Sequence, residues 1–112
     1  MLDGICKLIV DICKLPYYTC FVIRSFRHKG LKDLFLKGRS AKVRQDLQRR
    51  CLRRLDALDA AGALNELNIP GFDFHGLSGR PRRYSIHVNG PFCITFEWFE
   101  GNAWRVDLEQ YH

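Results

Sequence analysis

YSIHVNGPFCITFEWFEGNAWRVDL, residues 84–108, is the stretch whose reading decides the fold. Tyr84 to Val88 alternates apolar with polar side chains, Asn89-Gly90 is a pair suited to a tight two-residue hairpin turn, and Phe92 to Trp98 alternates again. A second return at Glu100-Gly101-Asn102 leads to a run with Trp104, Val106 and Leu108 on one face and Arg105, Asp107 and Glu109 on the other. The pattern predicts an antiparallel meander. Its apolar face, which includes Ile86, Ile94, Phe96, Trp98 and Trp104, needs a cover, most simply the helices upstream. Its other face carries Ser85, His87, Cys93, Thr95, Glu97 and Arg105 beside a basic turn, and a site could lie there.

Working outward, Phe21 to Phe26 is rich enough in β-formers for a first strand, and Lys29 to Leu36 reads as a short helix closed by Gly38. Ser40 is placed to cap a main helix from Ala41 to Ala61, with Val43, Leu47, Cys51, Leu55 and Leu58 at three- and four-residue spacing. Arg44, Arg49, Arg50, Arg53 and Arg54 fan around its other sides, as a solvated face or a dock for an acidic partner. Leu64 to Ile69 is a helical turn at best, and Phe72 to His75 can extend into another strand. The whole is an α+β domain, with helices packed on one face of a small antiparallel sheet.

Residues 1–21 place Leu2, Ile5, Leu8, Ile9, Ile12 and Leu15 at helical spacing before Pro16. The run is too short and too charged to span a membrane, and no stable membrane association is expected. It reads as a membrane-surface or partner-binding helix, as an extra packing element, or as an extension encoded upstream of a domain that occupies 22–112. The residues alone leave these three open; the resemblance of 22–112 to a known family favours the last.

The chain has 112 residues, room for one core, and a formal net charge of +6. Of its 18 cations 12 are arginine, the side chain suited to bidentate phosphate contacts, so an anionic partner is favoured. The five cysteines form neither a CxxC motif nor a disulfide framework, which points to reduced thiols and the cytoplasm. His28, His75, His87 and His112 lie far apart without HExxH spacing, and no glycine pattern for a nucleotide cofactor occurs. Neither a metal nor another cofactor is expected. In the loop GLSGRPRRY, Arg80, Arg82 and Arg83 offer cations near the start of a strand, which suits a phosphodiester.

Taken together, RSFRHKGLKDLF (24–35), IPGFDFHGLSG (69–79), SIHVNGPFCITFEW (85–98) and the terminal EQYH (109–112) resemble HigB-type toxins of the RelE superfamily. The resemblance implies a ribosome-dependent mRNA endonuclease, a toxin neutralised by a cognate HigA-type antitoxin that carries a helix-turn-helix domain. It also implies that His75, Tyr111 and His112 are the catalytic residues. Three positions depart from the family pattern. Ser78 stands where a lysine is usual, Cys93 where an arginine is usual, and Gln110 where an acidic residue is usual.

Metal-free RNA cleavage needs the 2′-hydroxyl deprotonated, the phosphorane charge stabilised and the leaving 5′-oxygen protonated. Histidine can serve either proton-transfer role. The expectation is that His75 and His112 share that work, that Arg82 and Arg83 hold the phosphate with Arg80 and Arg105 nearby, and that Tyr111 stacks on a base. A catalytically weak homologue that binds RNA or antitoxin is the other reading. His28 is read as helping to begin the first helix, and Trp98 and Trp104 as core.

Overall fold

The structure, a computed structural model, describes residues 22–110. The proposed extension 1–21, with Tyr111 and His112, lies outside the described residues.

Helix α1, Lys29–Lys37, is bounded as its sequence requires. His28 Nδ1 accepts from the Leu31 amide at 3.0 Å, and Gly38, at φ +83°, donates its N–H to the Leu34 carbonyl. Helix α2 is shorter than the periodicity predicts: it runs Gln48–Ala60, after a 3-10 turn at Gln45–Leu47. Ser40 does not cap it. Instead the Ser40 hydroxyl accepts from the Lys42 amide, and the Gln48 side-chain amide donates to the carbonyls of Ser40 and Val43. Those bonds satisfy the backbone of 40–43 in a turn and remove the need for a further turn of α-helix.

Four antiparallel strands follow in the order β1 (His75–Gly76), β2 (Arg83–Asn89), β3 (Phe92–Phe99) and β4 (Asn102–Gln110). The hairpin loop is Gly90-Pro91, one residue later than expected, because Asn89 pairs with Phe92. With Asn89-Gly90 as the loop, Pro91 would have to donate the closing hydrogen bond, and it has no N–H. Gly90 supplies the positive φ, +55°. The strand foreseen at 72–75 is reduced to β1, and the one foreseen at 21–26 appears as two parallel bridges, Ile23 to Ala103 and Phe26 to Val106. Asp59 on α2 accepts from the amides of Val22 and Ile23 and so fixes the start of that segment.

Among the described residues, helices cover one sheet face only. Leu31, Leu34, Leu47, Cys51, Leu55 and Leu58 are fully or almost fully buried against Ile86, Val88, Ile94, Phe96, Ala103 and Val106. Among the described residues no helix is long and apolar enough to cross a membrane.

Two expected placements are corrected. Arg54 is not on a solvated face: it is 8% exposed. The β2 register shifts between His87 and Asn89, and the His87 carbonyl accepts from Arg54 Nε at 2.7 Å. Trp104 is not core, since it is 37% exposed while Ala103 and Val106 are buried. The β3–β4 pairing shifts between Thr95 and Glu97, so that Arg105, at φ +50°, is an extra residue in β4. The shift moves Trp104 across the sheet to pair with Glu97.

Candidate functional site

The sheet face opposite α1 and α2 is built in rows. Cross-strand partners share a face, so His75, Ser85, Thr95 and Asp107 make one row, Arg83, Glu97 and Trp104 a second, and His87, Cys93 and Glu109 a third. Over these rows lies a cleft of about 360 Å³, walled by the loop Leu77–Pro81 and lined by Arg27, Arg80, Arg83, Arg105, Glu97 and Glu109. Four guanidinium groups face two carboxylates there, leaving an excess of positive charge.

The cations differ in how tightly they are held. Arg83 donates to Glu97 Oε2 at 3.1 Å, to Thr95 Oγ1 at 2.9 Å and to the Arg105 carbonyl at 2.9 Å. Its guanidinium is largely engaged within the protein, and the Thr95 hydroxyl passes the chain of bonds on to Glu109. Among the described residues, Arg83 Nε and the buried Ser85 Oγ have no hydrogen-bond partner. Among the described residues, Arg105, with a side chain 62% exposed, keeps only a loose contact with Glu97 at 3.6 Å. At the bulge its amide donates to the Ser25 hydroxyl at 2.8 Å. Arg27 approaches Asp107 at 3.8 Å and is half exposed.

Arg82 does not join Arg83. Its guanidinium lies 5.6 Å over the Tyr84 ring and close against Gly76, where a Cβ would come within 2.5 Å of it. Arg80 lies between the two environments, lining both the cleft and an adjoining hollow formed with Gly79, Pro81 and Arg82.

His75 sits on the edge strand, exposed, and its Nδ1 is 2.8 Å from the Asp73 carbonyl. A carbonyl can only accept, so Nδ1 carries the proton and, in the neutral ring, Nε2 presents a lone pair to solvent. The turn that carries it is anchored from α2. Arg54 donates to the His87 and Gly71 carbonyls and lies 4.8 Å over the Phe72 ring, and the His87 amide donates to the Phe72 carbonyl at 2.6 Å. Burial first, and the Arg50 charge second, lower the Arg54 pKa from its ordinary value.

Ser78, one of the three departures, lines the cleft. Cys93 is a half-buried free thiol between His87 and Glu109. His87 gives it no base, because Nε2 is turned to the Gly90 carbonyl at 3.0 Å. Gln110 closes β4, opposite Phe92, and Tyr111 and His112 continue from it outside the described residues. Reasoning from sequence missed the part of Arg27, Ser25, Glu97 and Glu109 in this cleft. The alternation placed Glu97 on this face, but nothing in it signalled a bond to Arg83.

The family model for RelE-like HigB toxins of type II toxin-antitoxin systems matches residues 24–112. Over 92 residues, 81% of this chain and 100% of the relative, the sequence is 40% identical to Endoribonuclease HigB of Proteus vulgaris. It is 30% identical over 87 residues, 75% of this chain and 92% of the relative, to Toxin HigB-1 of Vibrio cholerae.

Proposed function

The chain belongs to the RelE-like HigB toxins of type II toxin-antitoxin systems, and from that membership we propose that it is an endoribonuclease that cuts mRNA on the ribosome. Its site is the open sheet face. In that family an antitoxin partner is implied; a HigA-type helix-turn-helix protein is the proposed one, and the cytoplasm the proposed compartment.

The observation that carries the reading is the cleft itself: Arg80 and Arg105 are exposed beside it, while Arg83 is fixed in its floor. Exposed guanidinium groups can meet a phosphodiester at low desolvation cost, and Arg83 holds the backbone that aims one of them. Arg82, reached through Arg80, lies along the continuing path of the strand.

The chemistry proposed is transesterification. The 2′-oxygen bonds to phosphorus as the bond to the 5′-oxygen breaks; one base takes the 2′-proton and one acid gives a proton to the 5′-oxygen. The products are a 2′,3′-cyclic phosphate and a 5′-hydroxyl. His75, with Nε2 free to accept, suits the base, and His112 is then the acid. Tyr111 orients a nucleotide by stacking.

The binding-homologue reading keeps one support. Ser78 and Cys93 bring no cation to the cleft face, and Arg83 is paired with Glu97. Primer extension on a defined mRNA in a reconstituted translation reaction separates the two. New ends that need ribosomes, absent with His112→Ala, are expected; no cleavage by the folded wild-type chain favours the binding homologue.

A further inference from the structure

The shifted β4 register leaves two aromatic rings facing solvent, and the geometry points to Trp104 as a stacking platform for an unpaired nucleobase next to the phosphate cleft. This subsite rests on the reading of the face as an RNA site. In an unshifted register, continuing from the Thr95–Asp107 pair, Trp104 would oppose Trp98 on the helix-covered side. The extra residue Arg105 turns Trp104 onto the row of Glu97, which lines the cleft. Phe99, two residues from Glu97 on the same strand, is on that face as well and is 63% exposed. Trp104 is thus next in sequence to an exposed guanidinium and across the strand from the carboxylate that the guanidinium touches.

The ring is also held. Trp104 Nε1 reaches the Phe99 carbonyl at 3.4 Å, a long bond that restrains the indole while its surface stays 37% exposed. Leaving a tryptophan in water forgoes the burial that Ala103 and Val106 obtain on the other side. The excess of arginine in the adjoining cleft selects the occupant: a single-stranded nucleic acid offers a phosphate to the cations and an apolar base face to the ring at once.

The test uses the full chain carrying Trp98→Phe, so that Trp104 is the sole tryptophan reporter. A single-stranded 2′-O-methyl oligoadenylate, which resists 2′-hydroxyl attack, is titrated in while indole emission is followed, and anisotropy of the labelled oligomer reports affinity. Saturable quenching is expected. Trp104→Ala is expected to weaken binding about 5- to 150-fold, with Trp104→Phe retaining most of it. Emission indifferent to the oligomer, or Trp104→Ala binding like the parent, overturns the subsite and leaves the ring as a protein contact. Primer extension with wild type runs beside it. Cleavage with unaltered emission removes the stacking role alone, whereas quenching without cleavage supports the stacking role and removes the nuclease reading alone.

Discussion

Arg83 donates to the carbonyl of Arg105 at 2.9 Å, so the guanidinium in the floor of the cleft fixes the backbone from which the one at its wall projects. Its side chain is only 13% exposed and its ion-pair partner Glu97 17% exposed. Replacing Arg83 with methionine leaves the Glu97 carboxylate and the Arg105 carbonyl short of donors. A loss of roughly 2–4 kcal/mol is expected in urea unfolding. Cleavage should fall with it even at temperatures where the variant stays folded, because Arg105 is no longer aimed.

Arg105 is the opposite case. Its φ of +50° costs a side chain some strain that glycine avoids, and among the described residues its own guanidinium makes one loose contact. Arg105→Gly should therefore keep or slightly raise stability while weakening binding to a single-stranded oligonucleotide. If the group meets one phosphate, the slope of log K against log salt becomes shallower by about 0.7. An unchanged slope would remove Arg105 from the phosphate contacts.

Arg54 tests the anchoring of the turn that carries His75. Arg54→Met keeps much of the aliphatic packing but removes the donor to the partly buried His87 carbonyl, at an expected cost of about 1–3 kcal/mol. Hydrogen exchange at the His87 amide, bonded to Phe72, should accelerate beyond what that stability loss explains. Equal acceleration throughout the sheet would mean that Arg54 acts on global stability alone.

Cys51 gives a pH dependence. Burial raises its thiol from 9.0 to about 11, with the Arg54 charge opposing. Below pH 9 the thiol is protonated in both states and costs nothing. Between about pH 9 and 11 the unfolded chain ionises and the folded chain does not, so stability falls as pH rises. Two units correspond to a loss of about 2–3 kcal/mol. The difference between wild type and Cys51→Ala should shrink or reverse over that window in urea titrations. A difference independent of pH would contradict the assignment.

What the sequence disclosed follows from which forces are local. The alternation of 84–88 and 92–98 was readable because strand faces have period two, and the end of α1 because Gly38 marks it. Trp104 was misread for a related reason: alternation carries a residue to the correct face only while the register holds, and the extra residue Arg105 reverses it. Nothing within 102–110 announces that bulge. It is stabilised from outside, by Ser25 from 80 residues away and by Arg83 from 22. Arg54 was misplaced similarly. An arginine on a helix reads as solvated, and its carbonyl acceptor at His87 becomes visible only once β2 lies beneath it.

The site shows the same division. Membership of the family was legible in motifs, and the cations of 80–83 in composition. The split of neighbouring arginines, Arg82 over Tyr84 and Arg83 into the cleft, depended on where the strand began.

The segment 22–27 running beside β4 has a consequence for how the molecule associates. It occupies backbone groups that an outer strand would otherwise expose, through bonds such as Arg24 N–H to the Ala103 carbonyl and Val106 N–H to the Ser25 carbonyl. At the opposite border the sheet ends in a strand of two residues, His75–Gly76. Among the described residues the sheet therefore has no long, unshielded rim on which a foreign strand could propagate it. Such a molecule resists templated fibre growth, and a partner gains purchase on its side chains more readily than on its main chain.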